Sequence, residues 1–265
     1  MDGQEQRIAA AREVVRGKIE YFKQNFSRVE SHWKADKTRV TDADMTLSRT
    51  ITAEILQKFP GDDFCSEEEL PPAGTTKKFD AEFAWVLDPI DGTNNFARGI
   101  PLCAISLALL RRGMPVYGII YDHAQNSILE GGESVPLTKN GIVVEVPPEL
   151  PFDANSLISL HFPLSTRDSR ALEPLTRVNA LRCQGSAALN LAYNAFGAID
   201  GSIDHFTRVW DIAAACAMLA AVGKRIIFTG ANPFPLREIS YDMPKLRWFA
   251  GTKAFLDKAE SLGII

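Results

Sequence analysis

The segment Trp85-Val86-Leu87-Asp88-Pro89-Ile90-Asp91-Gly92-Thr93-Asn94-Asn95-Phe96 constrains this chain more than any other. It drives an apolar strand straight into two carboxylates and a Gly-Thr turn. Pro89 fixes its own φ and biases Asp88 toward extended geometry. Gly92 then permits a sharp turn, so both carboxylates and the backbone N–H groups that follow can face one small volume. Helix capping explains many single aspartates. It does not explain two acids flanking Pro-Ile ahead of Gly-Thr. Hard oxygen ligands set this way suit Mg²⁺, which takes one or two carboxylates and keeps positions for water and a substrate phosphate.

With 265 residues there is ample length for a sizeable core, as one large domain or two smaller halves. A net charge of −4 gives no support to nucleic-acid or membrane-surface binding, so neither partner is expected. Cys65, Cys103, Cys183 and Cys216 show no metal spacing and read as free thiols of a reducing compartment. Met1 to Arg7 carries no apolar signal core, and the apolar runs near 100–110 and 212–222 are too short to span a bilayer. A cytoplasmic location is the expectation.

Hydrophobic periodicity places an amphipathic helix over 4–26 and a second one opened by Thr41-Asp42-Ala43-Asp44 and stopped by Pro60-Gly61. The acidic, Pro/Gly-rich stretch 62–80 reads mostly as loop. Strands are expected at 83–88, 102–111, 116–122, 127–131 and 141–146, the second and third of these as an antiparallel pair. Pro147-Pro148-Glu149-Leu150-Pro151 marks a boundary between halves 1–150 and 151–265. Beyond it strands at 156–161, 180–183, 202–206 and 225–229 alternate with helices at 169–178, 187–196 and 211–222. Trp248 to Gly251 leads into a last helix from Thr252. The first half is thus α+β and the second α/β.

Further acids stand outside the opening segment. Glu67, Glu68 and Glu69 follow Asp62 and Asp63, and an acid run by itself is usually a solvated loop. Asp211, after Trp210, sits where a helix starts, and Thr41-x-x-Asp44 has the spacing of a capping box. Each of these is ordinary alone. His32, His123, His161 and His205 are scattered singly and read as surface or structural residues.

Taken together, the segments resemble the inositol monophosphatase family of Mg²⁺-dependent, lithium-sensitive phosphatases. Asp88 to Thr93 matches that family's Asp-Pro-Ile/Leu-Asp-Gly-Thr motif, and Glu67-Glu68 matches its Glu-Glu pair. Trp210-Asp211-Ile212-Ala213-Ala214 matches its Trp-Asp-x-Ala-Ala motif. Thr41 to Asp44 and Gly185-Ser186-Ala187-Ala188 match two more segments, and the order is right. The resemblance implies a layered αβαβα sandwich of the inositol monophosphatase and fructose-1,6-bisphosphatase type. It implies two to three Mg²⁺ ions: one held by Glu67, Asp88 and the Ile90 carbonyl, a second by Asp88, Asp91 and Asp211, and a weaker third near the glutamate. Gly92 and Thr93 would bind the substrate phosphate. Thr93 with Asp44 would polarise the attacking water, and Glu67 counts with them among the catalytic residues. Lys34 matches a lysine near the family's site, with Lys37 as its rival, and Glu68 is a further candidate. Homodimers are common in the family.

The alcohol is less constrained than the reaction. Gly185, Ser186 and Ala187 would line the polyol side of the pocket by resemblance, although Ser186 is also a plain N-cap. Asp204 stands where inositol-type members carry a glutamate for sugar hydroxyls. It is one methylene shorter and could face a hydroxyl or an ammonium; Arg208 nearby reads as a surface charge. Ser66, Arg39, Ala215 and Lys224 replace family residues at positions that leave the metal ligands intact. The expected substrate is therefore a small phosphate monoester such as inositol monophosphate. The alternatives are histidinol phosphate, fructose 1,6-bisphosphate or a 3′-phosphoadenosine nucleotide, or a regulatory binding protein on the same fold.

Overall fold

The structure, a computed structural model, describes residues 3–33 and 39–265. In the first half the elements run α1 (Gly3–Asn25), β1 (Ser31–Trp33), β2 (Arg39–Thr41), α2 (Asp42–Lys58), β3 (Asp63–Ser66), a 3-10 turn (Glu67–Glu69), β4 (Thr76–Lys78), β5 (Phe83–Asp91) and α3 (Thr93–Arg98). There follow β6 (Ala104–Arg111), β7 (Met114–Asp122), β8 (Ser127–Gly132), β9 (Val135–Lys139) and β10 (Ile142–Val143). The second half runs β11 (Leu157–Leu160), α4 (Thr166–Thr176), β12 (Ala180–Arg182), α5 (Ala187–Ala195), β13 (Gly201–Thr207) and α6 (Val209–Ala221). It ends with β14 (Arg225–Phe228), β15 (Glu238–Ser240), β16 (Leu246–Gly251) and α7 (Lys253–Ser261).

Two sheets carry the architecture. The larger has the order β10-β9-β8-β7-β6-β5-β3 and is antiparallel apart from the parallel pairing of β3 with β5. The smaller has the order β12-β11-β13-β16-β14, parallel across its first three strands and antiparallel across the rest. Alternation along β5 shows how the layers form, because successive side chains point to opposite faces. Phe83, Trp85 and Leu87 pack in one core with residues of α1 and α2, and Ala84 and Val86 pack in another with α5 and α6. That second core reaches Trp248 and Ala250 of the smaller sheet, whose outer face packs Ile158, Ile203 and Phe249 against Leu172 of α4 and Phe255 of α7. The layers are therefore α1/α2, large sheet, α5/α6, small sheet, α4/α7, the αβαβα sandwich anticipated above.

Helix α6 lies between the sheets, and a helix covered on all sides needs apolar residues all round. From Val209 to Leu219 only Asp211 is polar, and four of the others are alanine. The small side chains let the backbones meet: a Cβ on Gly118 of β7 would stand 2.0 Å from the Ala214 carbonyl oxygen. No described helix is long and apolar enough to cross a membrane.

Several expectations are corrected. The stretch 62–80 holds β3, the 3-10 turn and β4, because β3 is recruited by parallel pairing to β5 and β4 pairs with the distant β15. Neither pairing leaves a local pattern. The strand expected at 141–146 is reduced to Ile142–Val143, and the second neighbour of β8, after β7, is the unanticipated β9. Pro136 in β9 is tolerated because the ladder to β8 shifts register beside it.

Candidate active site

The opening segment builds the floor of a cleft of about 260 Å³. The ladder between β5 and β6 shifts register between Asp88 and Asp91, a bulge of the kind that re-aims side chains beside functional sites. Asp88 Oδ1 accepts from the Ile90 N–H at 3.1 Å, which closes the turn around Pro89. Gly92 follows with φ 85°, and a Cβ there would stand 2.9 Å from the Leu102 carbonyl oxygen. Only glycine meets both conditions.

Glu67, Asp88 and Asp211 converge in this cleft with carboxylate oxygens all within 4.8 Å of one another. They come from the 3-10 turn, from β5 and from the first turn of α6. Burial raises Asp88 well above the usual carboxylate range, and Glu67, Asp91, Asp211 and Asp44 push it further. Asp211 is raised in the same direction by burial and then by Asp91 and Glu67. Like charges crowded in a low dielectric ask for a cation. Opposite oxygens on one Mg²⁺ lie about 4.2 Å apart. The triplet therefore fits such an ion with a small inward adjustment.

Asp91 points elsewhere. Its carboxylate accepts from the Ser186 hydroxyl and from the N–H groups of Ala188 at 2.8 Å and Ala187 at 3.4 Å, at the start of α5. Burial lifts its pKa to about 6 against these donors. It lines the same cleft without belonging to the close triplet.

Asp44 has two tasks. Its Oδ2 accepts from the Thr41 N–H at 2.8 Å and the Thr41 hydroxyl at 2.5 Å, the capping box read from the sequence. Its Oδ1 lies 3.1 Å from Thr93 Oγ1, which is also 2.9 Å from the Ile90 carbonyl oxygen. One hydroxyl proton cannot serve both acceptors. Burial raises Asp44 to about 6, with the Thr41 donors opposing. Asp211 likewise accepts from the Arg208 N–H at 2.6 Å, so capping and site roles coincide in one residue.

On the opposite wall Gly185 and Ala187 line the cleft, and Ser186 caps α5 while bonding Asp91. Asp204 on β13 is buried, accepts from the Phe206 N–H at 2.8 Å and stands 3.8 Å from His161 Nδ1. Burial raises its pKa, with His161 opposing. His161 and Phe206 thus belong to the cleft although sequence reasoning set the histidine aside. Asn95 was also missed: its amide donates at 2.7 Å to both the Leu102 and Gln184 carbonyls, joining the two walls. Glu68 lines a neighbouring cavity of about 410 Å³ with Arg208, outside the close triplet. Lys34 and Lys37 lie outside the described residues.

Comparison with known proteins gives the chain's relatives in sequence and in fold. The chain is similar to a probable inositol 1-monophosphatase, ImpA, of Mycobacterium tuberculosis, 33% identical over 210 residues covering 73% of each chain. It is also similar to the Nus factor SuhB of Escherichia coli, 29% identical over 216 residues, 78% of this chain and 79% of that one. The fold matches the structure of an IMPase/NADP phosphatase solved with Mg²⁺ and phosphate, with a TM-score of 0.80 at 19% identity over 97% of this chain and 95% of that one. The model of the inositol monophosphatase family matches residues 3–257, and the chain belongs to that family.

Proposed function

We propose that this protein hydrolyses a small phosphate monoester in a Mg²⁺-dependent reaction with water as the nucleophile. The convergence of Glu67, Asp88 and Asp211 beside the Gly92–Thr93 turn is the observation that carries this reading. Glu67, Asp88 and the Ile90 carbonyl would hold a first ion. Asp88, Asp91 and Asp211 would hold a second. Bound Mg²⁺ neutralises phosphoryl charge and acidifies water. The backbone N–H groups after Gly92 bind the phosphate oxygens. The Thr93 hydroxyl donates to Asp44, which leaves its oxygen free to accept from and orient the water. Asp204 and His161 meet the leaving alcohol, and Gly185 and Ala187 line the same side, with Ser186 buried behind them.

The test is a panel of phosphate monoesters with Mg²⁺, repeated with Li⁺. Turnover that needs Mg²⁺, falls with Li⁺ and vanishes in folded Asp88→Asn and Asp211→Asn variants is expected. Asp44→Asn is expected to lower kcat by about 100-fold, in the range of lost acid–base assistance. Selection of inositol 1-phosphate over histidinol phosphate in kcat/KM identifies the polyol specificity. A folded, Mg²⁺-loaded protein that turns over no ester would move the assignment to a regulatory binding protein on the same fold.

A further inference from the structure

A second cavity, of about 620 Å³, opens on the far side of Phe206. Strand β13 carries Asp204, His205 and Phe206 in succession, and its ladder to β16 is irregular between Asp204 and Thr207. Asp204 faces the catalytic cleft. His205 faces the outer layer, its ring centroid 6.0 Å from that of Phe249. Phe206, 40% exposed, lines both cavities.

The walls of this second cavity are unlike those of a packing void. Arg247 and Arg167 line it together with Ser165 and Thr229. Asp168 accepts from Arg247 Nη2 at 2.5 Å and from the Ser165 hydroxyl at 2.7 Å, so one guanidinium is held in place. Two guanidiniums against one carboxylate leave the cavity positive. His205 Nδ1 is 3.5 Å from the Asp168 carboxylate, whereas Nε2, also buried, makes no hydrogen bond among the described residues. A buried imidazole nitrogen with no partner calls for an explanation, and a ligand at Nε2 supplies one.

We propose that this cavity is a distal oxyanion subsite continuous with the catalytic cleft, so that the protein selects phosphate monoesters whose alcohol carries a second negative group. The inference rests on the phosphatase reading above. The ester's phosphate lies at Gly92 and Thr93, its hydroxyls lie at Asp204 and His161, and its far oxyanion passes Phe206 to reach Arg247, Arg167 and His205. Guanidinium forks suit carboxylate and phosphate alike.

The test measures kcat/KM with Mg²⁺ for three six-carbon esters: sorbitol 6-phosphate, 6-phosphogluconate and sorbitol 1,6-bisphosphate. Their far ends are neutral, a carboxylate and a phosphate. One or both charged esters are expected to lead the neutral one by about tenfold or more at low salt, with the lead shrinking as salt screens the guanidiniums. Arg247→Gln and Arg167→Gln are each expected to cut that lead at least threefold through KM. Arg167 is exposed, so its variant keeps the test sound should loss of the Arg247 ion pair impair folding. Equal kcat/KM for all three esters, or a lead that survives both substitutions, overturns the subsite. Hydrolysis of inositol 1-phosphate but of none of the three also overturns the subsite alone. Hydrolysis of no ester at all overturns the phosphatase reading and the subsite with it.

Discussion

Asn95 holds the cleft together without being one of its acids. Its two donated hydrogen bonds run to carbonyls on opposite walls, Leu102 beyond α3 and Gln184 before α5. A Cβ on Gly185 would meet that same amide at 2.9 Å, so the contact is close and specific. Asn95→Ala removes both bonds and is expected to cost about 1–3 kcal/mol, the range for stranded polar groups. Urea unfolding measures that cost. The loosened walls are expected to lower kcat as well, and unchanged kcat in a destabilised variant would make Asn95 purely structural. The acids of the site were legible because motifs at fixed spacing carry Asp88, Asp91, Glu67 and Asp211. Asn95 and His161 were not, because a lone amide or imidazole has no spacing to read. Only the fold brings His161 within 3.8 Å of Asp204.

Elements were legible where their period was unbroken and their partners near. α1, α2, β5, β6 and β7 fall close to their expected bounds, and their apolar residues divide between two cores as alternation requires. β3, β4 and β15 are three or four residues long, and distant partners decide them. Glycines show which contacts matter at this scale. Gly118→Ala drives a Cβ into the backbone of α6 and is expected to cost about 1–3 kcal/mol or more. Gly17→Ala, in the interior of α1 with nothing within 4 Å, is expected to stabilise by about 0.5–1 kcal/mol. Thermal unfolding of the pair separates close approach from helix propensity, and equal shifts would contradict the packing of α6 on β7.

α4 is fastened to the small sheet through Asp168, which Arg247 and Ser165 hold below the usual carboxylate range. A carboxylate with a depressed folded pKa contributes fully above its unfolded value near 4 and loses that contribution as pH falls toward the folded value. Asp168→Asn is therefore expected to destabilise by about 1.5–3 kcal/mol at pH 7, the range for hydrogen bonds to charged groups. The gap from the parent protein narrows below about pH 4. A gap independent of pH would mean that the charge on Asp168 is irrelevant to the fold.

At the scale of the whole molecule the boundary near Pro147 divides sheets and leaves the core undivided. Every strand of the large sheet precedes it and every strand of the small sheet follows it. Yet α5 and α6, from the second half, cover one face of the large sheet in the core that also reaches Trp248. Separated halves 1–150 and 151–265 would each expose that apolar face, so neither is expected to fold alone. The full chain is expected to unfold in one transition. The candidate metal site ties the halves again, since Glu67 and Asp88 come from one and Asp211 from the other. Mg²⁺ at about 100 times its Kd adds about 2.7 kcal/mol to the native state. At about 2–4 °C per kcal/mol for a chain near this size, Tm is expected to rise by several degrees. Asp211→Asn removes that rise without need of any substrate. The rise is expected to be larger at pH 8 than at pH 5. At the lower pH the buried carboxylates, with Asp91 lifted to about 6 and Asp88 and Asp211 raised well above their ordinary value, hold protons that the cation must displace. A Tm indifferent to Mg²⁺ at both pH values, in a protein that still unfolds in one step, would show that the acids converge without binding the ion.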